Sequence, residues 1–317
     1  MNNFHINITH LLFVTDDSYS RYVGTMLCSV LENNKDMNFY VHILTTDMSV
    51  DNVNKFERMV CDKYHAKLDI RHVVPEKLNI DVSRCGHWGI YPSLKLYAAD
   101  LFPEIDRILY LDADMVCIGS LKYIEQLDIS DYYLAAATDN KGCWRHKQRL
   151  GIPLDCFYGC GGIMYINLKK WREDGIRKKC IDYFNAPENA DKIQFGEQDV
   201  INKICMWHIM ELPIEFNMFT MFYSHDLSTV PDKYVSDWVS HKHHAVIIHF
   251  AGSDKPWFKD SLFPLRKEFV KYAKMTPWGG KFGYSPQYPG LIAWQMLRFK
   301  YLLHRIGIRK RYYFPDC

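Results

Sequence analysis

The chain has 317 residues, 48% of them apolar and 24% charged, a globular composition that excludes wholesale disorder and fits one α/β domain with an appendage, or two domains. Its 39 Lys and Arg stand against 37 Asp and Glu, a formal net charge of +2, so there is no bulk electrostatic case for a nucleic-acid partner. No run reaches the roughly 18 consecutive apolar residues that a membrane span needs.

The even balance hides an asymmetry. From Lys281 to Cys317 there are seven Lys and Arg and one acid, Asp316, which leaves the preceding residues with 32 basic and 36 acidic side chains. A slightly acidic body carries a basic tail. The N-terminus enters the apolar run Leu11–Val14 directly, without the cationic start or the length of an export signal. The ten cysteines form no C-x-x-C pair, which suits reduced thiols in a cytosol, most of them small core residues.

In chain order, Leu11–Val14 reads as a short strand followed by the polar turn Thr15-Asp16-Asp17-Ser18. Tyr22, Val23, Met26, Leu27, Val30 and Leu31 then recur at helical spacing. Phe39–Leu44 is a second strand. Val50, Val53, Phe56, Val60 and Tyr64 mark a second amphipathic helix, and Leu68–Val74 a third strand. The alternation predicts βαβ units and a mainly parallel sheet flanked by helices. Leu94–Leu101 reads as helical, and Arg107–Leu111 as a buried strand ending in Asp112-Ala113-Asp114. Further strands are expected at Tyr133–Ala137, Ile163–Asn167 and Val246–Phe250. Gly and Pro cluster between Thr276 and Gly290, which divides the chain into a body over 1–276 and a tail over 277–317.

Ligands of an open α/β sheet sit beyond the carboxyl ends of its strands. Two such ends carry acids here. Asp112 and Asp114 are two apart after an apolar strand, so both can reach one divalent ion once the backbone turns; hard oxygen ligands suit Mg²⁺ or Mn²⁺. The alternative is a solvated turn. His249 ends the apolar run Val246-Ile247-Ile248, and Lys255 follows a Gly-containing turn; together they offer a metal ligand and a phosphate contact, or else a core histidine before a loop. Gly196-Glu197-Gln198-Asp199 opens a helix whose first-turn acids are either functional or complements of the helix dipole. His241-Lys242-His243-His244 reads as a solvated loop. In the tail, a helix from Leu291 to Phe314 would align Ile292, Gln295, Met296, Phe299, Leu302 and Leu303 on one face. With its cations it suits an anionic membrane surface, or packs on the body.

The segments Leu12-Phe13-Val14-Thr15-Asp16-Asp17-Ser18-Tyr19, Tyr110-Leu111-Asp112-Ala113-Asp114, Ile166-Asn167-Leu168-Lys169-Lys170-Trp171, Glu197-Gln198-Asp199 and His249 to Trp257, taken in order, resemble glycosyltransferase family 8. This is the family of glycogenin and the bacterial lipopolysaccharide galactosyl- and glucosyltransferases. The resemblance implies a nucleotide-diphospho-sugar transferase fold (GT-A type), a Mn²⁺-dependent UDP-hexose donor, retention of anomeric configuration and a glycan or lipid-linked oligosaccharide acceptor. It implies work at the cytoplasmic face of the membrane, with the tail as attachment. It sets Val14, Asp16, Ser18 and Tyr19 on the uridine and Asp112, Asp114 and His249 on the metal, with Ala113 beside the nucleotide. Gly252 and Lys255 fall on the diphosphate, and Gln198 on the reacting face of the sugar with Glu197 and Asp199 beside it.

Departures from the family pattern touch the donor sugar. Tyr91-Pro92-Ser93-Leu94-Lys95 lacks an expected arginine at Ser93, so a clamping charge is missing from this reading. Cys160-Gly161-Gly162 stands where Asn-Ala-Gly is usual. Two rivals remain. A haloacid-dehalogenase-like phosphatase would use Asp112 as nucleophile and Asp114 as acid/base, but three strands precede the motif here. A non-catalytic sugar-nucleotide or glycan-binding protein on the same fold would keep donor binding without transfer.

Overall fold

The computed structural model describes residues 7–85, 89–223, 228–252, 255–259, 261, 263 and 265–283, and 295, 296, 298, 299, 302, 303 and 306 of the tail. The chain opens as expected: β1 (Ile8–Thr15), α1 (Ser20–Asn33), β2 (Asn38–Thr45), α2 (Val50–Glu57) and β3 (Lys67–His72). The Ser49 hydroxyl caps α2 by accepting from Asn52 N–H. The expected helix to Tyr64 changes character, because residues Arg58–Lys63 continue as a π-helical turn.

The segment expected as a helix over 94–101 is a 3₁₀ stretch, Tyr91–Tyr97, that passes into α3 (Ala98–Leu101). Pro92 stands at its start. Then follow β4 (Arg107–Leu111), β5 (Met115–Cys117), α4 (Lys122–Gln126), β6 (Leu134–Thr138) and α5 (Cys143–Leu150). β7 (Gly159–Asn167) begins four residues before the apolar run that announced it, and leads into α6 (Leu168–Glu173), α7 (Ile176–Asn185) and α8 (Gly196–Ile204). The last elements are β8 (Ile209–Leu212), β9 (Met218–Phe219), α9 (Val235–His241), β10 (Ile247–His249) and α10 (Arg266–Ala273).

Seven strands form one sheet in the order β3-β2-β1-β4-β7-β6-β8. β3, β2, β1 and β4 run parallel, as do β6 and β8, while β7 is antiparallel to both neighbours. Both faces are covered. Leu11 and Phe13 of β1 point into one hydrophobic cluster with α1, and Leu12 into the other with α7 and α8. This is why the central strands read as continuous apolar runs. A second sheet, β5-β10-β9, packs with α10 around a third cluster that includes Met218, Phe250, Trp257 and Phe269.

One topological fact positions the site. Because β7 runs against β4 and β6, its first residues, Cys160 to Gly162, reach the same edge as the last residues of β1, β4 and β6. β10 and the start of α8 arrive there from the other side. All nine described cysteines are free and seven are buried, in keeping with a reduced core role. Among the described residues no helix is long and apolar enough to cross a membrane. The tail helix expected over 291–314 lies largely outside the described residues, Ile292 and Trp294 included. Met296, Phe299, Leu302 and Ile306, which are described, are each more than half exposed.

Candidate active site

Asp112, Asp114 and His249 offer ligand atoms that all lie within 4.8 Å of one another. They come from the end of β4 and the end of β10, 135 residues apart in sequence, joined because β5 leads the chain from Asp114 into an antiparallel pair with β10 in which His249 faces Met115. Backbone bonds lock the junction: Asp112 N–H donates to Gly162 O at 2.9 Å, and Phe250 N–H to Asp114 O at 2.9 Å. The Tyr110 hydroxyl donates to Asp112 Oδ1.

His249 is held by a relay. Asn217 Nδ2 donates to Thr138 O at 2.9 Å, which turns Asn217 Oδ1 toward His249 Nδ1 at 2.8 Å. Nδ1 is therefore the donor, and Nε2 points at Asp114 Oδ1, 3.4 Å away. Partners on the far nitrogen orient metal-binding imidazoles in this way. Cys160 lies in the same layer, its sulfur 3.9 Å from His249 Nδ1. It touches His249 on the nitrogen that faces away from Asp114. Burial opposes charge on Asp114, but Lys255 and His249 beside it hold its carboxyl well below the usual carboxylate range.

Two oxygens and an imidazole nitrogen suit a hard or borderline divalent cation. Two further observations fit one here. Lys255 Nζ already places a positive charge 2.6 Å from Asp114 Oδ2. Gly162 keeps the space between the ligands clear: a Cβ there would lie 2.9 Å from Asp112 Oδ2, 2.9 Å from His249 Cε1 and 2.7 Å from the Met115 methyl.

The turn after β1 reaches this edge too. Asp16 Oδ1 accepts from the Ser18 hydroxyl at 2.8 Å and from Tyr19 N–H at 2.7 Å, while Val14 is half-buried at the strand end. Asp17 instead ties the turn to α2 through Ser49 and Asn52. Tyr19 meets Trp257 edge-on at 5.9 Å, and Trp257 stacks on Tyr22 at 3.9 Å, so the first motif and the last are in contact. Gly252 has φ +101°, a conformation that favours glycine, and open space where a side chain would project.

Gln198 is gripped on both ends of its amide. Gly161 N–H donates to its carbonyl at 2.7 Å, and its Nε2 donates to Asp139 Oδ2 at 2.9 Å and to the Tyr158 hydroxyl at 3.2 Å. Asp199 has a different situation. It is fully buried and accepts four hydrogen bonds, from Arg149, Tyr158 and the N–H groups of Gln194 and Phe195. Those bonds shape the turn before α8 and leave its oxygens no access to the open site.

The structure corrects the reading of the 91–95 segment. A charge does reach the site from it: Lys95 is 1% exposed, donates to Gly161 O and to Glu197 Oε1 at 2.8 Å each, and lies 4.0 Å above the Tyr110 ring. The 3₁₀ winding of that stretch aims Lys95 inward, whereas Ser93 is buried against Cys85 and does not take part. Two further residues were not singled out from sequence. Asp139 follows β6, and burial raises its carboxyl pKa. The rule that flagged Asp16 and Asp112, an acid at a strand's end, would have found it. Asn217 carries no such signal. His243 and His244 are exposed, as a solvated loop requires.

Residues 10–261 match the family model described as Glycosyl transferase family 8. The chain is 26% identical over 267 residues to a lipopolysaccharide 1,2-glucosyltransferase of Escherichia coli, covering 83% of this chain and 77% of that protein. It is 24% identical over 261 residues to the lipopolysaccharide 1,3-galactosyltransferase of Salmonella typhimurium, covering 80% and 74%. Among solved structures, the galactosyltransferase LgtC in complex with donor and acceptor sugar analogs superposes with a TM-score of 0.70 at 24% identity, over 85% of this chain and 96% of that one. The expected fold, a nucleotide-diphospho-sugar transferase of GT-A type, is borne out.

Proposed function

The chain belongs to glycosyl transferase family 8, and from that premise we propose that it transfers glucose or galactose from a UDP-sugar, with retention of configuration and with Mn²⁺, to a lipopolysaccharide or other cell-surface glycan. The observation that carries this reading is the convergence of Asp112, Asp114 and His249 with Gln198 at one sheet edge. Gly162 stands between them: its neighbour Gly161 bonds Gln198, and a Cβ at Gly162 itself would meet Asp112 and His249.

In this assignment Val14, Asp16, Ser18 and Tyr19 hold the nucleotide beside Ala113, the turn bonds of Asp16 fixing the orientation of its carboxylate. Asp112, Asp114 and His249 would hold the divalent cation, which when bound supplies Lewis-acid neutralisation of the leaving diphosphate. Lys255, released from Asp114, and the glycine backbone at Gly252 contact the same phosphates. Gln198 presents its amide to the anomeric centre, its orientation set by Gly161, Asp139 and Tyr158. Glu197 shares its charge with Lys95, and this pair meets the donor sugar's hydroxyls. Asp199 is a positioning residue that builds the turn before Gln198. The basic tail, 277–317, attaches the enzyme to the cytoplasmic face of an anionic membrane; its cations and the exposed Met296, Phe299, Leu302 and Ile306 support this.

Calorimetric titration of UDP, UDP-glucose and UDP-galactose, with Mn²⁺ and with chelator, tests the proposal. One UDP-hexose is expected to bind only in the presence of metal. A folded protein that binds no UDP species under either condition overturns it.

A further inference from the structure

The turn after β1 is tied down by a residue from the other end of the body. Trp278 lies just beyond α10, and its indole N–H donates to Asn52 Oδ1 at 2.7 Å. An indole can only donate, so this bond fixes which way round the Asn52 amide lies. The amide nitrogen is thereby turned to Asp17, donating to Asp17 Oδ1 at 2.7 Å and to Asp17 O at 2.9 Å. Asp17 Oδ1 also accepts from Ser49 N–H at 2.7 Å. Trp278, Asn52 and Asp17 thus run in series to the turn in which Asp16 holds Ser18 and Tyr19.

Trp278 has a prepared seat. A Cβ at Gly24 of α1 would lie 2.4 Å from its ring, and Phe56 of α2 meets it edge-on at 4.8 Å. Asn52 is buried, so the loss of either partner would leave an amide group unpaired away from water. The segment that carries Trp278 is pinned beside the same turn. Arg21 of α1 donates to Lys281 O at 2.7 Å, and Lys259 N–H donates to Gly283 O at 2.8 Å. A tryptophan that served packing alone would need the seat at Gly24 and no more. This one gives its single polar group to the residue that holds Asp17.

We propose that Trp278 is a positioning residue for the nucleotide half of the donor. It acts through Asn52 and Asp17 to hold the turn over 16–19 in the conformation that receives the uridine, so that less ordering is left to be done on binding. It contributes nothing to the metal cluster. The proposal rests on the transferase reading above and adds to it a distant part of the chain that orders the donor site in advance.

The test measures UDP affinity by calorimetry with Mn²⁺ present, on the full chain, for Trp278→Phe, Asn52→Ala and the double variant. Phenylalanine keeps a ring against Gly24 and loses the N–H. Each single variant should weaken UDP binding by about 5- to 20-fold, and the double variant by no more than the larger of the two, because the residues act in series. Manganese affinity without nucleotide, read by electron paramagnetic resonance, should keep its wild-type value, which a general loosening of the fold would not spare. Asn52→Ala leaves the seat of Trp278 intact and carries the test alone if Trp278→Phe does not fold. Wild-type UDP affinity in either folded variant overturns the inference and leaves the transferase reading standing. Losses that multiply in the double variant, or a parallel fall in manganese affinity, do the same. Failure of the folded wild type to bind UDP removes the transferase reading, and this inference with it.

Discussion

Among the described residues two histidines are buried, and they have opposite fates. His249 is 4% exposed and His42 is 1% exposed, so burial opposes a charged imidazolium at both. At His249 the Asp114 carboxylate, with Cys160 adding to it, outweighs burial and raises the pKa to about 10. At His42, in the middle of β2, burial prevails and lowers it to about 4, helped by the second imidazole of His10 and against the pull of Asp69. The carboxylates explain the difference. Each carboxylate lies 3.4 Å from its histidine, but Asp114 gives Oδ1 to His249 and Oδ2 to Lys255, whereas Asp69 Oδ2 is shared between His42 and Arg71, 2.7 Å away, and the His10 imidazole stands 3.0 Å from His42 on its other side. A buried histidine is thus charged or neutral according to how the carboxylate opposite it is shared, and the carboxylate comes from elsewhere in the chain.

The largest effect is expected where this assembly is cut. Asp114→Asn removes the carboxylate that both His249 and Lys255 face. Transfer from the UDP-hexose should fall on the order of 10³-fold or more, with the circular dichroism spectrum unchanged. A loss smaller than about tenfold would detach the cluster from the chemistry and leave His249 a core histidine after all.

A milder disturbance tests the space rather than the charge. Gly162→Ala puts a methyl group against Asp112 Oδ2 and His249 Cε1, both 2.9 Å away, while the flexible Met115 methyl can yield. Spreading the ligands should weaken Mn²⁺ binding by about 10- to 100-fold and lower stability by about 1–3 kcal/mol. Manganese titration followed by electron paramagnetic resonance reads the first and thermal melting the second. Unaltered manganese affinity would show that the ion, if bound, sits away from Gly162.

The smallest effect belongs to His42. Its folded pKa lies below the value of 6.5 for a free histidine, so on acidification the unfolded chain takes up the proton first. The stability it contributes is complete above about pH 6.5 and is lost as pH falls toward about 4, on the order of 3 kcal/mol in all. Urea unfolding of the wild type and of His42→Gln at about pH 7.5 and about pH 4.5 isolates this share, since every other group titrates in both proteins. The variant should lose less stability between the two conditions. Equal losses would mean that His42 keeps its proton when folded, and the contrast with His249 would vanish.

The sequence by itself determined the parts of this protein that rest on local pattern. β1, β2 and β4 are apolar runs bounded by turn chemistry, α1 has helical spacing, and the acids at the ends of β1 and β4 mark the ligand edge of a parallel sheet. Five motif segments in order were enough to indicate the family. The tertiary structure decided what depends on long-range pairing. β5, β8 and β9 are four residues or fewer, too short to show a period, and exist because a distant strand completes their hydrogen bonds. Asn217 matters only through His249, 32 residues away. Lys95 is a surface-type residue in sequence and becomes a buried cation because the 3₁₀ winding of 91–97 aims it at Glu197, 102 residues on. Composition and spacing report the conformation a segment prefers and the face it buries. Which charges end up facing one another is set by the order in which strands join the sheet, and at this site that order brings the start of an antiparallel strand to the ends of three others.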